Sequence, residues 1–275
     1  MSGKLDWDDE RYFADTDYIS NSMLSVFHQS PAIYRARFID KKIAFEPTDE
    51  MRLGTLVHTL LFLGEDTAAE QYYVITKKPD RRTKAGKQRA AEIEQESAGK
   101  IVLDEDTWRR ALRMVEELSV HNVVSSLVSS ASEMEDIHWW RDEKYSINCK
   151  CKIDALSDGI IVDLKTSSNP HPNSFGRSVA NFGYYRQAAW YRRAVAATNG
   201  GTKPPFVFCV VGSSEPHEVF CYSLTEEDMK YGDLHCDDLL GRLVTAKQHN
   251  QWDHPGSSGI CTIELPGWFK SQPWS

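Results

Sequence analysis

Two β-prone runs, residues 147–156 and 159–164, flank the turn Ser157-Asp158-Gly159. An Asp-Gly step between such runs predicts a tight hairpin. Each arm carries an acid that does not suit a strand interior, Asp154 in the first and Asp163 in the second. Lys165 follows Asp163 by two residues, so alternation puts both side chains on one face. If the arms pair about this turn, Asp154 lies close to them. Isolated, such charges are costly; around a bound Mg²⁺ they make a hydrolytic site. D-x-K is common, however, and a solvated hairpin with scattered charges also accounts for it. The context adds weight: Ile160-Ile161-Val162 precedes Asp163, and a helical segment with Gln187 and Tyr191 follows.

The 275 residues, 41% hydrophobic and 26% charged, are enough for a real core and argue against wholesale disorder. With no internal repeat or low-complexity linker, one domain is expected over 1–275. Its portions are a mostly helical 1–130, a catalytic sheet with flanking helices in 131–248, and an aromatic tail in 249–275. No apolar run approaches the ~20 residues a membrane helix needs. The opening MSGKLDWDDERYF has no apolar stretch of a secretion signal. A cytoplasmic protein is therefore expected, with its six cysteines as reduced thiols. The net charge of −8 argues against nonspecific coating of nucleic acid. It does not exclude a local grip, because the sign of a patch matters more than the total.

Such a patch exists. Residues 76–89, TKKPDRRTKAGKQR, hold seven basic residues against one acid. Both a solvated loop and a phosphate-gripping segment fit that pattern. Before it, residues 1–17 read as an acidic, irregular arm. Ser20-Asn21-Ser22 reads as a helix N-cap, and Ser30-Pro31 breaks that helix and opens the next. The strongest helix of this half is 48–63, with an apolar face of Met51, Leu53, Leu56, Val57, Leu60 and Leu61. His58 sits inside it, either as a packed side chain or aimed at the acids as a ligand for a hard cation. Helices follow at 85–98, 104–121 and 122–130, then strand-like residues from Met134 to Trp140 with Glu135 at the entry. After Lys165 the sequence TSSNPHPNS reads as a polar loop. The helix 184–197 puts Gln187 and Tyr191 one turn apart on one face. Residues 206–211 and 218–222 read as an antiparallel pair, Thr225 caps a long helix to about 248, and Ile260 and Ile263 suggest a short strand in the tail.

Taken in order, these motifs resemble the PD-(D/E)xK nuclease superfamily, and within it the RecE-type exodeoxyribonuclease VIII nuclease domain and its phage relatives. The likeness runs through S-x-L with S-P-A-x-Y (Ser22 to Tyr34), L-G-T-L-V-H (Leu53 to His58) and D-R-R-T-K-x-G-K (Asp80 to Lys87). It continues through Glu135 before Trp139-Trp140, C-K-I-D (Cys151 to Asp154), V-D-L-K-T (Val162 to Thr166), G-Y-x-R-Q-A-A-W-Y (Gly183 to Tyr191) and I-E-L-P-G-W (Ile263 to Trp268). Ile153 stands where the family usually has Pro, and Asp163 where many members have Glu. The resemblance implies an α/β, restriction-endonuclease-like core, a central mixed β-sheet of about five strands flanked by helices, with a helical N-terminal half. It implies Asp154, Asp163, His58 and the Leu164 backbone carbonyl as ligands of Mg²⁺, with Mn²⁺ able to substitute, and Glu135 as support for a second metal. Lys165 would polarise the attacking water, and Gln187 and Tyr191 would orient the scissile phosphate or the lysine. Arg81, Arg82, Lys84 and Lys87 would contact DNA phosphates. The implied activity is a DNA exonuclease acting on duplex ends, 5′ to 3′, leaving 3′ overhangs for recombination. It would act as a trimeric or tetrameric ring beside a single-strand annealing protein. The alternatives are an endonuclease or single-strand nuclease of the same fold, or a non-catalytic protein binding DNA ends.

Overall fold

A computed structural model describes residues 1–253, 259–265 and 267–270 of the chain. The N-terminal half is mostly helical. After β1 (Ser2–Leu5) and α1 (Asp9–Ala14), Ser20 caps α2 (Asn21–Gln29) by accepting from the Met23 amide. Pro31 opens α3 (Pro31–Tyr34), which runs into a π-helical turn at Arg35–Ile39. Thr48 caps α4 (Asp49–Phe62) through the Met51 amide, with Asp49 and Glu50 favourably placed in its first turn. Leu53, Leu56, Val57 and Leu60 bury one stripe of α4, while Met51 is exposed. α5 (Gly64–Gln71), β2 (Tyr72–Ile75), α6 (Lys84–Ser97), β3 (Ile101–Asp104), α7 (Glu105–Val120) and α8 (Asn122–Ser129) complete this half. β2 and β3 form a small parallel pair.

The second half builds the sheets. Its strands are β4 (Ala131–Met134), β5 (Ile137–Asp142), β6 (Ile147–Lys152), β7 (Ala155–Ser157), β8 (Ile160–Ser167), β9 (Phe206–Gly212) and β10 (Val219–Tyr222). A five-stranded mixed sheet runs in the order β10-β9-β8-β7-β4, with β8 and β9 parallel and the other pairs antiparallel. A second, antiparallel sheet has the order β1-β5-β6. β4 and β5 form one arm and β6 and β7 the other of a single long ribbon that bends from one sheet into the other. The bend lies at Glu135-Asp136 on one arm and Ile153-Asp154 on the other. It is held by Glu135 N–H to the Asp154 carbonyl (3.1 Å) and Ile153 N–H to the Asp136 carbonyl (3.0 Å). Glu135 takes a positive φ of 58°, uncommon for a side chain of its size.

Helices cover both faces of β8. Val162 and Leu164 pack in one cluster with Leu56, Val57, Met114 and Leu118 from α4 and α7. Ile161 lies in the other with residues of α10 (Tyr184–Thr198) and α11 (Glu226–His249). Trp190 is fully buried there, its indole N–H donating to the Lys150 carbonyl at 2.9 Å. A Cβ on Gly232 would stand 2.4 Å from the Tyr185 carbonyl, so α10 and α11 approach to backbone contact.

Three expectations are corrected. Residues 1–17 are not an irregular arm: β1 pairs with β5, Ser2 opposite Trp140 and Leu5 opposite Ile137, and α1 packs beside it. The partner strand supplies the order that SGKL lacks by itself. The polar loop after Lys165 is shorter than expected: Thr166 and Ser167 continue β8, and from Pro172, at its first position, the chain is helix α9 (Pro172–Phe182). Ile260 and Ile263 are in no strand and lie exposed. In the aromatic tail, Trp252 is buried against Tyr34, ring centroids 5.8 Å apart, while Trp268 and Trp274 lie outside the described side chains. Cys149, Cys151, Cys209, Cys221 and Cys236 are free thiols. Among the described residues no helix is long and apolar enough to cross a membrane.

Candidate active site

Alternation along β8 aims Asp163 and Lys165 toward α10, opposite Val162 and Leu164. Asp163 is fully buried, and its Oδ2 is in ion-pair contact with Lys165 Nζ. Gln187 reaches from α10 and donates from Nε2 to Asp163 Oδ1 at 2.8 Å, and the same nitrogen lies 3.0 Å from the Tyr191 hydroxyl. Gln187 therefore positions the carboxylate. Asp154 comes from the ribbon's bend, and its Oδ2 accepts from the Leu164 amide at 2.7 Å. That bond ties the two acidic arms at the peptide between Asp163 and Lys165.

His58 enters from α4 on the other side. Its Nε2 lies 2.9 Å from Glu135 Oε1 and 3.2 Å from Asp154 Oδ1. His58, Glu135 and Asp154 each offer a ligand atom within 4.8 Å of the others. Phe62, one turn along α4, stands with its ring 4.9 Å from the imidazole.

The charges are strongly coupled. Burial raises the Asp163 carboxyl to about 6, with Asp154 adding to the rise and Lys165 opposing it. Burial also opposes charge on Asp154, yet His58, Lys165 and the Leu164 N–H hold its pKa below the usual value. Against burial, the carboxylates of Asp154 and Glu135 raise His58 to about 10, so the imidazole is protonated between them. Lys165 is likewise buried, but Asp163 and Asp154 raise its pKa and keep it an ammonium.

This donor set fits a hard divalent cation. It is two carboxylates and an imidazole within ligand range, with a third carboxylate beside them. Glu135 Oε1 and Asp163 Oδ2 are buried and meet their cations as ion pairs without well-formed hydrogen bonds, leaving acceptor capacity directed into the site. A cation bound between Asp154 and Glu135 would displace the proton from His58 Nε2 and leave that nitrogen as a ligand, while Lys165 keeps its charge beside Asp163.

The structure thus brings together His58, Glu135, Asp154, Asp163, Leu164, Lys165, Gln187 and Tyr191. It does not bring in the basic segment: Arg81, Arg82, Lys84 and Lys87 are exposed on the β2–α6 connection and the first turns of α6. Arg82 is engaged with Asp80, Nε to Oδ1 at 3.0 Å. Two site residues escaped sequence reasoning. Lys152 bridges Glu135 and Asp9 of α1, the latter at 2.5 Å. Its position at the end of β6, two residues before Asp154, was the available signal. Tyr184 lies under Lys165, with Nζ 4.9 Å from the ring centroid. Positions 184, 187 and 191 fall on one helical stripe, which would have found it.

The sequence matches, over residues 20–264, the family model described as a PDDEXK-like domain of unknown function (DUF3799). The fold is similar to the crystal structure named "Putative exonuclease" from Eubacterium rectale, with a TM-score of 0.65 at 15% sequence identity. That alignment covers 97% of this chain and 98% of the other, and shows likeness of fold. A second solved structure, SSO0001, aligns over 74% of this chain and 89% of its own at 13% identity, with a TM-score of 0.29 that carries no weight. No curated protein matches the sequence.

Proposed function

The chain belongs to the family of PDDEXK-like domains of unknown function, and from that premise we propose that it is a divalent-metal-dependent DNA exonuclease. The observation that carries this reading is the meeting of Asp154, Asp163 and Lys165 at the bend of the ribbon, with Gln187 behind Asp163 and His58 across from Asp154. In this reading Asp154, Asp163, His58 and the Leu164 carbonyl hold Mg²⁺ or Mn²⁺, and Glu135 supports a second ion. A bound ion supplies a lowered water pKa and neutralises charge on the phosphate. Lys165, kept as an ammonium, orients the attacking water and faces the negative charge that grows on the phosphoryl oxygens. Gln187 and Tyr191 fix Asp163 in place. One P–O bond forms to water as the bond to the leaving sugar oxygen breaks.

The finer substrate reading rests on the resemblance to the RecE-type nucleases. It is digestion of duplex ends 5′ to 3′, leaving 3′ overhangs for recombination. The same resemblance supports one nuclease domain over 1–275, a trimeric or tetrameric ring, a single-strand annealing partner and a cytoplasmic location. It also supports phosphate contacts from Arg81, Arg82, Lys84 and Lys87. The test is digestion of linear duplexes labelled at either end, with Mg²⁺ and with EDTA, beside a covalently closed circle. Label released from the 5′ end only with metal, and an intact circle, are expected. Cutting in EDTA would sink the mechanism, and cutting of the circle would make the protein an endonuclease.

A further inference from the structure

No Asp or Glu occurs from Lys165 to Ser214, in a chain that has 40 acids among 275 residues. That acid-free stretch begins at the catalytic lysine and includes all of α9 and α10. Most of its cations are already engaged: Arg192 pairs with Glu226, and Arg193 and Lys203 with Asp233. Arg186 is buried, its Nε donating to Asn21. Arg177, exposed on α9, has no ion-pair partner among the described residues. The face of α9 toward solvent is therefore neutral to positive, unlike the surface of a chain with net charge −8.

At the end of α9 stands Phe182, 64% exposed. Its ring centroid is 5.6 Å from that of Tyr184, the ring that underlies Lys165 Nζ. Gly183 between them takes φ +69°, and a Cβ there would lie 2.9 Å from the Arg186 guanidinium. The junction that presents the two aromatics is therefore specific to glycine. A large apolar ring held in solvent against the ring that underlies Lys165, at the end of a helix that carries no acid of its own, has the chemistry of a base-stacking contact. Aromatic rings accept the π-face of any base, and positive charge tracks the phosphates. A blunt end offers a ring only the outer face of its last pair, fixed across the helix axis, whereas an unpaired nucleotide can swing a free face onto a ring at the side of the site. We propose that Phe182, backed by Tyr184, stacks an unpaired base next to the scissile phosphate, so that the site takes strand ends with unpaired nucleotides in preference to blunt ends. The inference deepens the nuclease reading and rests on it.

The test uses the full chain in EDTA, so that binding is read without chemistry. The probes are a blunt duplex and the same duplex with a short unpaired tail carrying 2-aminopurine, followed by anisotropy and by quenching of the base. Tighter binding of the tailed duplex and a quenched 2-aminopurine are expected. Phe182→Ala is expected to weaken the tailed complex about five- to tenfold, the low end for one stacked base, and to leave the salt dependence unchanged. Phe182→Trp restores binding, which separates stacking from a folding defect. Arg177→Gln instead lowers the slope of log affinity against log salt by about 0.7, the effect of one phosphate contact on a single strand. Equal binding of blunt and tailed DNA by the unaltered protein, or tailed binding indifferent to Phe182→Ala, overturns the proposal. Cleavage with Mg²⁺ is scored separately. A protein that cuts DNA but ignores Phe182 refutes the stacking contact alone. One that binds tails through Phe182 yet cuts nothing with any divalent metal supports the contact and refutes the nuclease.

Discussion

At the scale of single residues, the site is a set of charges that keep one another ionised in a place where burial opposes ionisation. Asp163 and Asp154 raise the Lys165 pKa against burial and keep it an ammonium, the form in which the proposed mechanism has it face the phosphate. Lys165→Ala is expected to lower the cleavage rate by about 10²–10³-fold, the scale for one lost electrostatic donor, while DNA binding in EDTA persists. Loss of both together would place Lys165 in the fold and not in the chemistry. A second residue governs the pH response of stability. Burial lowers the His235 imidazole to about 4, Arg186, His28 and Arg242 add to the fall, and Asp238 opposes it. The Tyr185 hydroxyl lies 2.8 Å from its Nδ1. The unfolded chain therefore binds a proton at this residue from about pH 6.5 downward, and the native one does so only near 4. His235 costs nothing above about 6.5 and destabilises increasingly as the pH falls toward 4. Melting curves from pH 7.5 to 4.5 should show a fall that is shallower in His235→Gln; equal slopes would refute the assignment. Asp154, Asp163 and Lys165 were legible in the sequence because acids interrupting apolar strand residues have few bland explanations. Lys152 was not, because it reads as the solvent face of a strand until α1 is seen to cover it.

Secondary-structure elements divide along the same line. α4, α7, α10 and α11 declare themselves by helical spacing and by caps such as Thr48 and Thr225, and the Asp-Gly turn fixes the β7–β8 hairpin. β1 and α9 were missed because their order comes from partners far away in sequence. α1 is held the same way. Lys150 is buried on β6, and its ammonium donates to the Tyr12 carbonyl at 2.5 Å and the Asp15 carbonyl at 2.9 Å, beside the Asp15 carboxylate at 3.3 Å. It closes the C-terminal end of α1 as a side-chain cap. Lys150→Ala leaves those acceptors and Asp15 unpaired in a covered site, and a loss of about 3 kcal/mol is expected in urea unfolding. If the loss is below about 0.5 kcal/mol, the contact is a surface pair of ordinary weight.

For the whole molecule, the site is assembled from α4, the ribbon's bend, β8 and α10, so an ion bound there engages most of the fold. Mn²⁺ at about 100 times its dissociation constant should stabilise the native state by about 2.7 kcal/mol, roughly 5 °C in Tm for a chain of this size. EDTA should reverse the shift, and Asp154→Asn should abolish it; a shift that survives in Asp154→Asn would locate the ion elsewhere. The bend gives this a further consequence. Glu135 and Asp154 sit on opposite arms of one ribbon at the place where it turns between sheets, so the gap between their carboxylates is a reading of the ribbon's curvature. If an ion binds there as proposed, the angle between the three-stranded and five-stranded sheets would set the aperture offered to it. Substitutions along β1 or β5 that touch none of the proposed ligands would then change which ion radius the site prefers.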